Sequence, residues 1–127
     1  MEQLKLYKAP RQRRSRESLE KILQAAEDQI RTEGLESLTI GGVVSRVGLS
    51  VGAFYARFPD KTALIHAVQD RFHNRLEPLI HRQILAEAGS CPDLASAVSA
   101  AVDVLIRNVT SEWELSRGFM MMSVFDP

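Results

Sequence analysis

The stretch "GLSVGAFYARF", residues 48–58, decides the fold. Gly48 and Gly52 are poor residues for a buried helix, and Phe54, Tyr55 and Phe58 are poor residues for a solvated loop. The two demands meet if Gly48-Leu49 is a tight turn and Ser50 caps a short helix running through Arg57. Upstream, Thr39 is placed to cap another helix over "IGGVVSRV", whose Gly41 and Gly42 cost less in a first turn than in a helix interior. The unit 39–57 is then helix, tight turn, helix. In that plan the second helix enters the major groove by its N-terminal end. The groove is about 12 Å wide, so the small residues Ser50, Val51, Gly52 and Ala53 would let the backbone approach base edges. Phe54 and Phe58, four apart, face the preceding helices as an anchor, and Tyr55 points elsewhere.

Outward from this unit almost every segment has helical period. Leu19, Ile22, Leu23, Ala26 and Ile30 share a face of a first helix expected from about Ser15, with Gly34 as its C-terminal cap. "PDK" (59–61) starts a long fourth helix with Ile65, Val68, Phe72, Leu76 and Leu79 on one side, and Pro78 is expected to kink it. "AGSCPD" (88–93) is a loop. "LASAVSAAVDVLIRNV" reads as a fifth helix and "SEWELSRGFMMMSVF" as a sixth. No strand-like alternation or internal repeat occurs, so the fold class is all-α.

Composition narrows the function. The net charge is zero over 127 residues, but residues 1–61 carry eleven Lys/Arg against eight Asp/Glu, and residues 62–127 carry five against eight. The basic excess is densest in "KLYKAPRQRRSR" (5–16), a pattern that points to nucleic acid. Arg11, Arg13 and Arg14 there could reach phosphates or a minor groove, or belong to a solvated terminus. Cys91 is the single cysteine, which excludes an intrachain disulfide framework and a cysteine-based zinc site. The most apolar run is too short for a bilayer and contains Asp103, and no h-region follows the N-terminal charges, so the cytoplasm is the default location. No nucleophile–base arrangement and no Gly-rich loop after a strand is present, so neither an enzyme nor a cofactor is implied.

The segment "LTIGGVVSRVGLSVGAFYARFPDKTALIHAV" resembles the DNA-binding domain of the tetracycline-repressor (TetR) family of transcriptional regulators. "RESLEKILQAAEDQIRTEGLESLTI" is similar to that family's first helix and connection. The resemblance covers about residues 13–73 and implies three helices for DNA. Residues 74–127 would form part of an all-helical domain for a small effector and for homodimerisation. By position, it implies phosphate contacts from Thr39 and Lys61, base-facing places for Val51, Gly52 and Ala53, and flanking contacts from Tyr55 and Arg57. Gly41, Ser50 and Arg14 complete the expected DNA-binding set. The pattern often has a polar or basic residue at the places of Gly41 and Val51. Base reading here would then rest on thymine methyl contact, backbone approach and DNA shape. The implied function is a repressor released from a palindromic operator by a small molecule, with no membrane partner. The alternative is a helical interaction or scaffold protein whose helix-turn-helix is only structural.

Two further groups invite a site reading. His66, Asp70, His73 and Glu77 lie on one helical face at ligand-like spacing, but well off the apolar stripe, which favours a wet surface over a metal site. Phe72, Trp113, Phe119 and Met120 could wall an effector pocket, or simply pack as core. Phe119 to Met122 and Phe125 surround a helix on most sides. The chain is therefore expected to be poorly soluble or to self-associate through residues 113–127, with a truncation near residue 88 better behaved. Members of the resembled family usually continue for several more helices, so it is either a fragment or dimerises through another surface.

Overall fold

The computed structural model describes residues 2–125, with side chains over residues 12–123, so Arg11 and Phe125 lie outside the described side chains. Six α-helices follow one another: α1 (Glu2–Glu33), α2 (Ile40–Val47), α3 (Val51–Tyr55), α4 (Lys61–Ala88), α5 (Leu94–Ser111) and α6 (Trp113–Phe125). A 3-10 turn, Leu35–Ser37, separates α1 from α2. No strand occurs among the described residues.

The turns are set by local chemistry. Gly34 stops α1 at φ 86, a conformation that favours glycine, while its N–H still donates to Ile30 O at 2.8 Å. Gly48 ends α2 at φ 69, and Leu49 N donates back to Val44 O at 3.0 Å. Thr39, Ser50, Asp60 and Asp93 cap α2, α3, α4 and α5, each side chain accepting from the backbone N–H three residues on.

Three expectations shift. α1 begins at Glu2 rather than near Ser15, because apart from Pro10 the basic segment consists of residues that helices tolerate or favour. α3 ends at Tyr55, and Ala56–Arg57 form a turn in which Arg57 N donates to Phe54 O at 2.9 Å. On α4 the buried residues are Leu64, Val68 and Phe72, with Ile65 and Leu76 only half-buried, so the stripe is rotated by about one residue at its start. Pro78 lies inside α4 on an exposed face.

A single apolar cluster joins Ile22, Ala26 and Ile30 of α1, Val43 of α2, Phe54 of α3, Val68 and Phe72 of α4, and Leu115 and Phe119 of α6. α5 packs mainly on α4, burying Val104 and Asn108, whose amide donates to Gln83 Oε1 at 2.7 Å. α6 crosses the 3-10 turn closely: a Cβ on Gly118 would lie 3.0 Å from Leu35 Cβ.

A charge lies inside this core. Glu27 is 0% exposed, and three arginines satisfy its carboxylate. Arg31 donates at 2.9 Å, Arg71 at 2.6 Å, and Arg75 to both oxygens at 3.1 and 3.0 Å. Arg31 also donates to Glu112, at the corner between α5 and α6, at 2.9 Å. That bond, helped by the charges of Glu112 and Glu27, raises the Arg31 pKa against the effect of burial. The node thus ties α1, α4 and the α5–α6 corner together.

Candidate nucleic-acid interface

The recognition head is built from its anchor outward. Phe54 is fully buried and stacks on Phe58 with ring centroids 5.4 Å apart, and Tyr55 meets Phe54 edge-on at 5.5 Å. This fixes the rotation of α3, leaving Ser50, Val51, Gly52 and Tyr55 exposed, Val51 and Tyr55 by 50% each. Ser50 Oγ accepts from Ala53 N at 3.1 Å. The first-turn amides of Val51 and Gly52 lie before the first intrahelical bond, where a helix favours an anion. A Cβ built on Gly52 would meet nothing nearer than Ser50 Oγ at 3.9 Å, so no packing demand keeps this residue small.

α2 is seated differently. Thr39, exposed, accepts from Gly42 N at 3.0 Å, and Gly41 is open on every side. Gly42 is not open, since a Cβ there would come within 2.8 Å of the Gln29 side-chain amide. That amide reaches from α1 to Ser37 O at 3.1 Å, while its own buried Oε1 has no partner among the described residues. Lys61 is half-buried at the first position of α4, beside the Asp60 cap. Arg14 is exposed on α1. Arg57 is exposed, and its Nη1 donates to Ser15 O at 2.8 Å and Ser15 Oγ at 3.3 Å. It fastens the end of the head to α1.

The other candidate residues divide. Phe72, His73 and Leu76 of α4 and Ser116, Phe119 and Met120 of α6 line a cavity of about 200 Å3. Trp113 is not among them; it is half-exposed beside Arg31 and Glu112 on another face. His66, Asp70, His73 and Glu77 are exposed, and among the described residues no three His, Cys, Asp or Glu side chains are grouped to hold an ion. Sequence reasoning missed Glu27. The signal was present, since Glu27 stands one turn from Leu23 within the apolar stripe of α1, with Arg31 one turn further on.

A short, capped helix held by a buried aromatic, its bare first turn turned to solvent, defines a helix-turn-helix DNA-binding unit. Residues 22–68 match the family described as "Bacterial regulatory proteins, tetR family". A 51-residue stretch is 43% identical to a Bacillus subtilis (strain 168) protein described as the uncharacterized HTH-type transcriptional regulator YvdT. That match covers 40% of this chain and 26% of the relative, about a quarter of its length. Residues 22–68 are thus similar to the helix-turn-helix domain of TetR-family transcriptional regulators. No helix among the described residues is long and apolar enough to cross a membrane.

Proposed function

We propose that this regulator is a repressor that grips palindromic operator DNA as a homodimer and lets go when a small molecule enters between α4 and α6. The open first turn of α3 carries the reading: Gly52 is bare without a packing reason, on a head locked by Phe54. In this proposal residues 13–73 form the DNA-binding unit and residues 74–127 the effector and dimerisation part. Val51, Gly52 and Ala53 face the bases, and Ser50 holds the turn that presents them. Thr39, Gly41, Tyr55, Lys61 and Arg14 meet the phosphate backbone, while Arg57 keeps α1 and the head in register. With no amide or guanidinium at the base-facing places, discrimination comes from thymine methyls and DNA shape.

Release is geometric. α4 has Lys61 at one end and the cavity-lining Phe72, His73 and Leu76 along its middle. A ligand wedged against α6 would displace α4 and so alter the separation of two recognition helices, which must match half-sites about 34–36 Å apart. Selection of bound duplexes from random DNA tests the reading. Paired half-sites at one-turn spacing are expected, and recovery of no preferred sequence would return the chain to the class of structural helical proteins.

A further inference from the structure

Helix α6 presents two opposite faces to two different neighbours. Ser116, Phe119, Met120 and Ser123 line the cavity shared with α4. At 100° per residue, Glu114, Arg117 and Gly118 fall on the other side, and this side is seated on the 3-10 turn Leu35–Ser37. Gly118 is buried in that seam, where a Cβ would stand 3.0 Å from Leu35 Cβ and 3.2 Å from Leu35 Cδ2. Glycine is the poorest helix former after proline, so nothing in α6 itself favours it at this interior place; the nearness of Leu35 does. Next to it, Arg117 Nη2 pairs with Glu36 of the turn at 3.2 Å and with Glu114 of its own helix at 3.1 Å.

The turn passes a displacement on because it has little slack. Ser37 N donates to Gly34 O and Leu38 N to Leu35 O, each at 3.2 Å, and Gln29 of α1 donates to Ser37 O at 3.1 Å. Leu38 is fully buried, and the next residue is Thr39, whose side chain caps α2 by accepting from Gly42 N. Leu35 thus stands four residues before the cap of the helix that carries Gly41 and Gly42. α6 also lies more closely along α1 and this turn than along α4. A push on its cavity face is therefore taken up mainly at the seam.

We propose that Gly118 and Arg117 are positioning residues for DNA binding. Their seam with Leu35 and Glu36 sets where α2 begins, and α6 carries a push from the cavity on its far face to Thr39 by a route separate from α4. The trigger rests on the reading of that cavity as the effector site, whereas the positioning role needs no ligand. The test compares amide NMR spectra of the full chain with those of Gly118→Ala and Arg117→Gln, together with binding to duplexes selected by the wild-type protein. Gly118→Ala should shift the amides of Leu38 to Gly42 as well as those of Leu35 and Glu36, and should weaken binding to the selected duplex roughly tenfold. Its melting temperature should barely move, since the gain in helix propensity opposes the crowding. Arg117→Gln crowds nothing and keeps the fold. It should shift the same amides by less, and Arg117→Lys should return them toward wild type. In a double-mutant cycle, Leu35→Ala with Gly118→Ala should lose less affinity than the two single losses combined predict, because the shorter side chain yields to the new methyl. Shifts that stop at Glu36 in both α6 variants, or single losses that simply multiply, overturn the inference. If the shifts reach Thr39 but the wild-type protein selects no duplex, the seam stands and the DNA reading fails. If duplexes are selected and Gly118→Ala binds them as tightly as wild type, the DNA reading stands and the seam does not position it.

Discussion

Glycines 42 and 52 sit in the first turns of adjacent helices and look equivalent in sequence, yet the structure gives them opposite reasons to be glycine. A Cβ at position 42 would strike the Gln29 amide and the Thr39 hydroxyl, at 2.8 and 2.9 Å, whereas one at position 52 would enter open space. Gly42→Ala should therefore lower stability by about 1–3 kcal/mol as an overpacking change. Gly52→Leu should melt at or slightly above the wild-type temperature through helix propensity, and should abolish operator binding in a gel shift. A Gly52→Leu protein that unfolds would make this residue a folding requirement. At the same scale, Lys61→Ala should weaken all DNA sequences nearly equally and flatten the salt dependence of log K by about 0.9. A changed sequence preference with the salt slope intact would move Lys61 from the phosphates to the bases.

At the scale of elements, the caps and turn glycines were legible because each is decided within four residues, by a side-chain oxygen or a positive φ. The fastening of Arg57 to Ser15, 42 residues away, was not, nor was the choice of Leu64 over Ile65 as the buried residue, because partner helices decide both. Trp113 was misplaced for a simpler reason. Six residues at 100° per step set it about 120° from Phe119 around α6, so the two cannot wall one cavity. α5 yields a pH prediction. Asp93 accepts from Ser96 Oγ at 2.6 Å and Ser96 N at 2.8 Å, and the hydroxyl first, then the amide, holds its pKa below the ordinary 3.8. The unfolded chain takes up that proton at the higher pH, so the stabilisation is complete above about pH 4 and is lost as pH falls through the lower folded value. Asp93→Asn keeps a cap without the charge. It should melt below wild type at pH 7 and converge with it near pH 2 on thermal scans. A gap that persists across the range assigns the stabilisation to something other than the charge.

For the whole molecule, burial of Leu115 and Phe119 in the same cluster as Ile22, Ile30 and Phe72 changes the expected outcome of shortening the chain. A protein cut near residue 88 would lose that cover and the Glu112 partner of Arg31 together. It should melt at a lower temperature than the full chain on thermal scans. Among the described side chains of the Met-rich run, Met120 and Met121 face outward strongly, while Met122 packs on the core. The more continuous apolar surface is on α5, where Leu94, Val98, Val102, Leu105 and Ile106 are all exposed. Light scattering at rising concentration should show association, and Val98→Glu with Ile106→Glu should suppress it more than Met121→Glu does. A monomer at all concentrations would show that this face is inert. Glu27 is the most demanding residue in the fold. Glu27→Ala should cost about 3 kcal/mol in chemical denaturation, because it removes the buried carboxylate that three guanidinium groups share, although Arg31 keeps Glu112 and Arg71 keeps Glu20.

The same carboxylate limits how this sequence can change one residue at a time. Replacing Glu27 alone takes the shared buried carboxylate from three guanidinium groups, and replacing any one arginine takes a donor from that carboxylate, so each single step costs stability. Exchanging the whole group for well-packed apolar side chains would be neutral or stabilising, but that state lies several simultaneous substitutions away. In a stepwise mutational walk Glu27 therefore acts as a ratchet, retained because leaving it is costly at every exit and not because it is the most stable filling for its place.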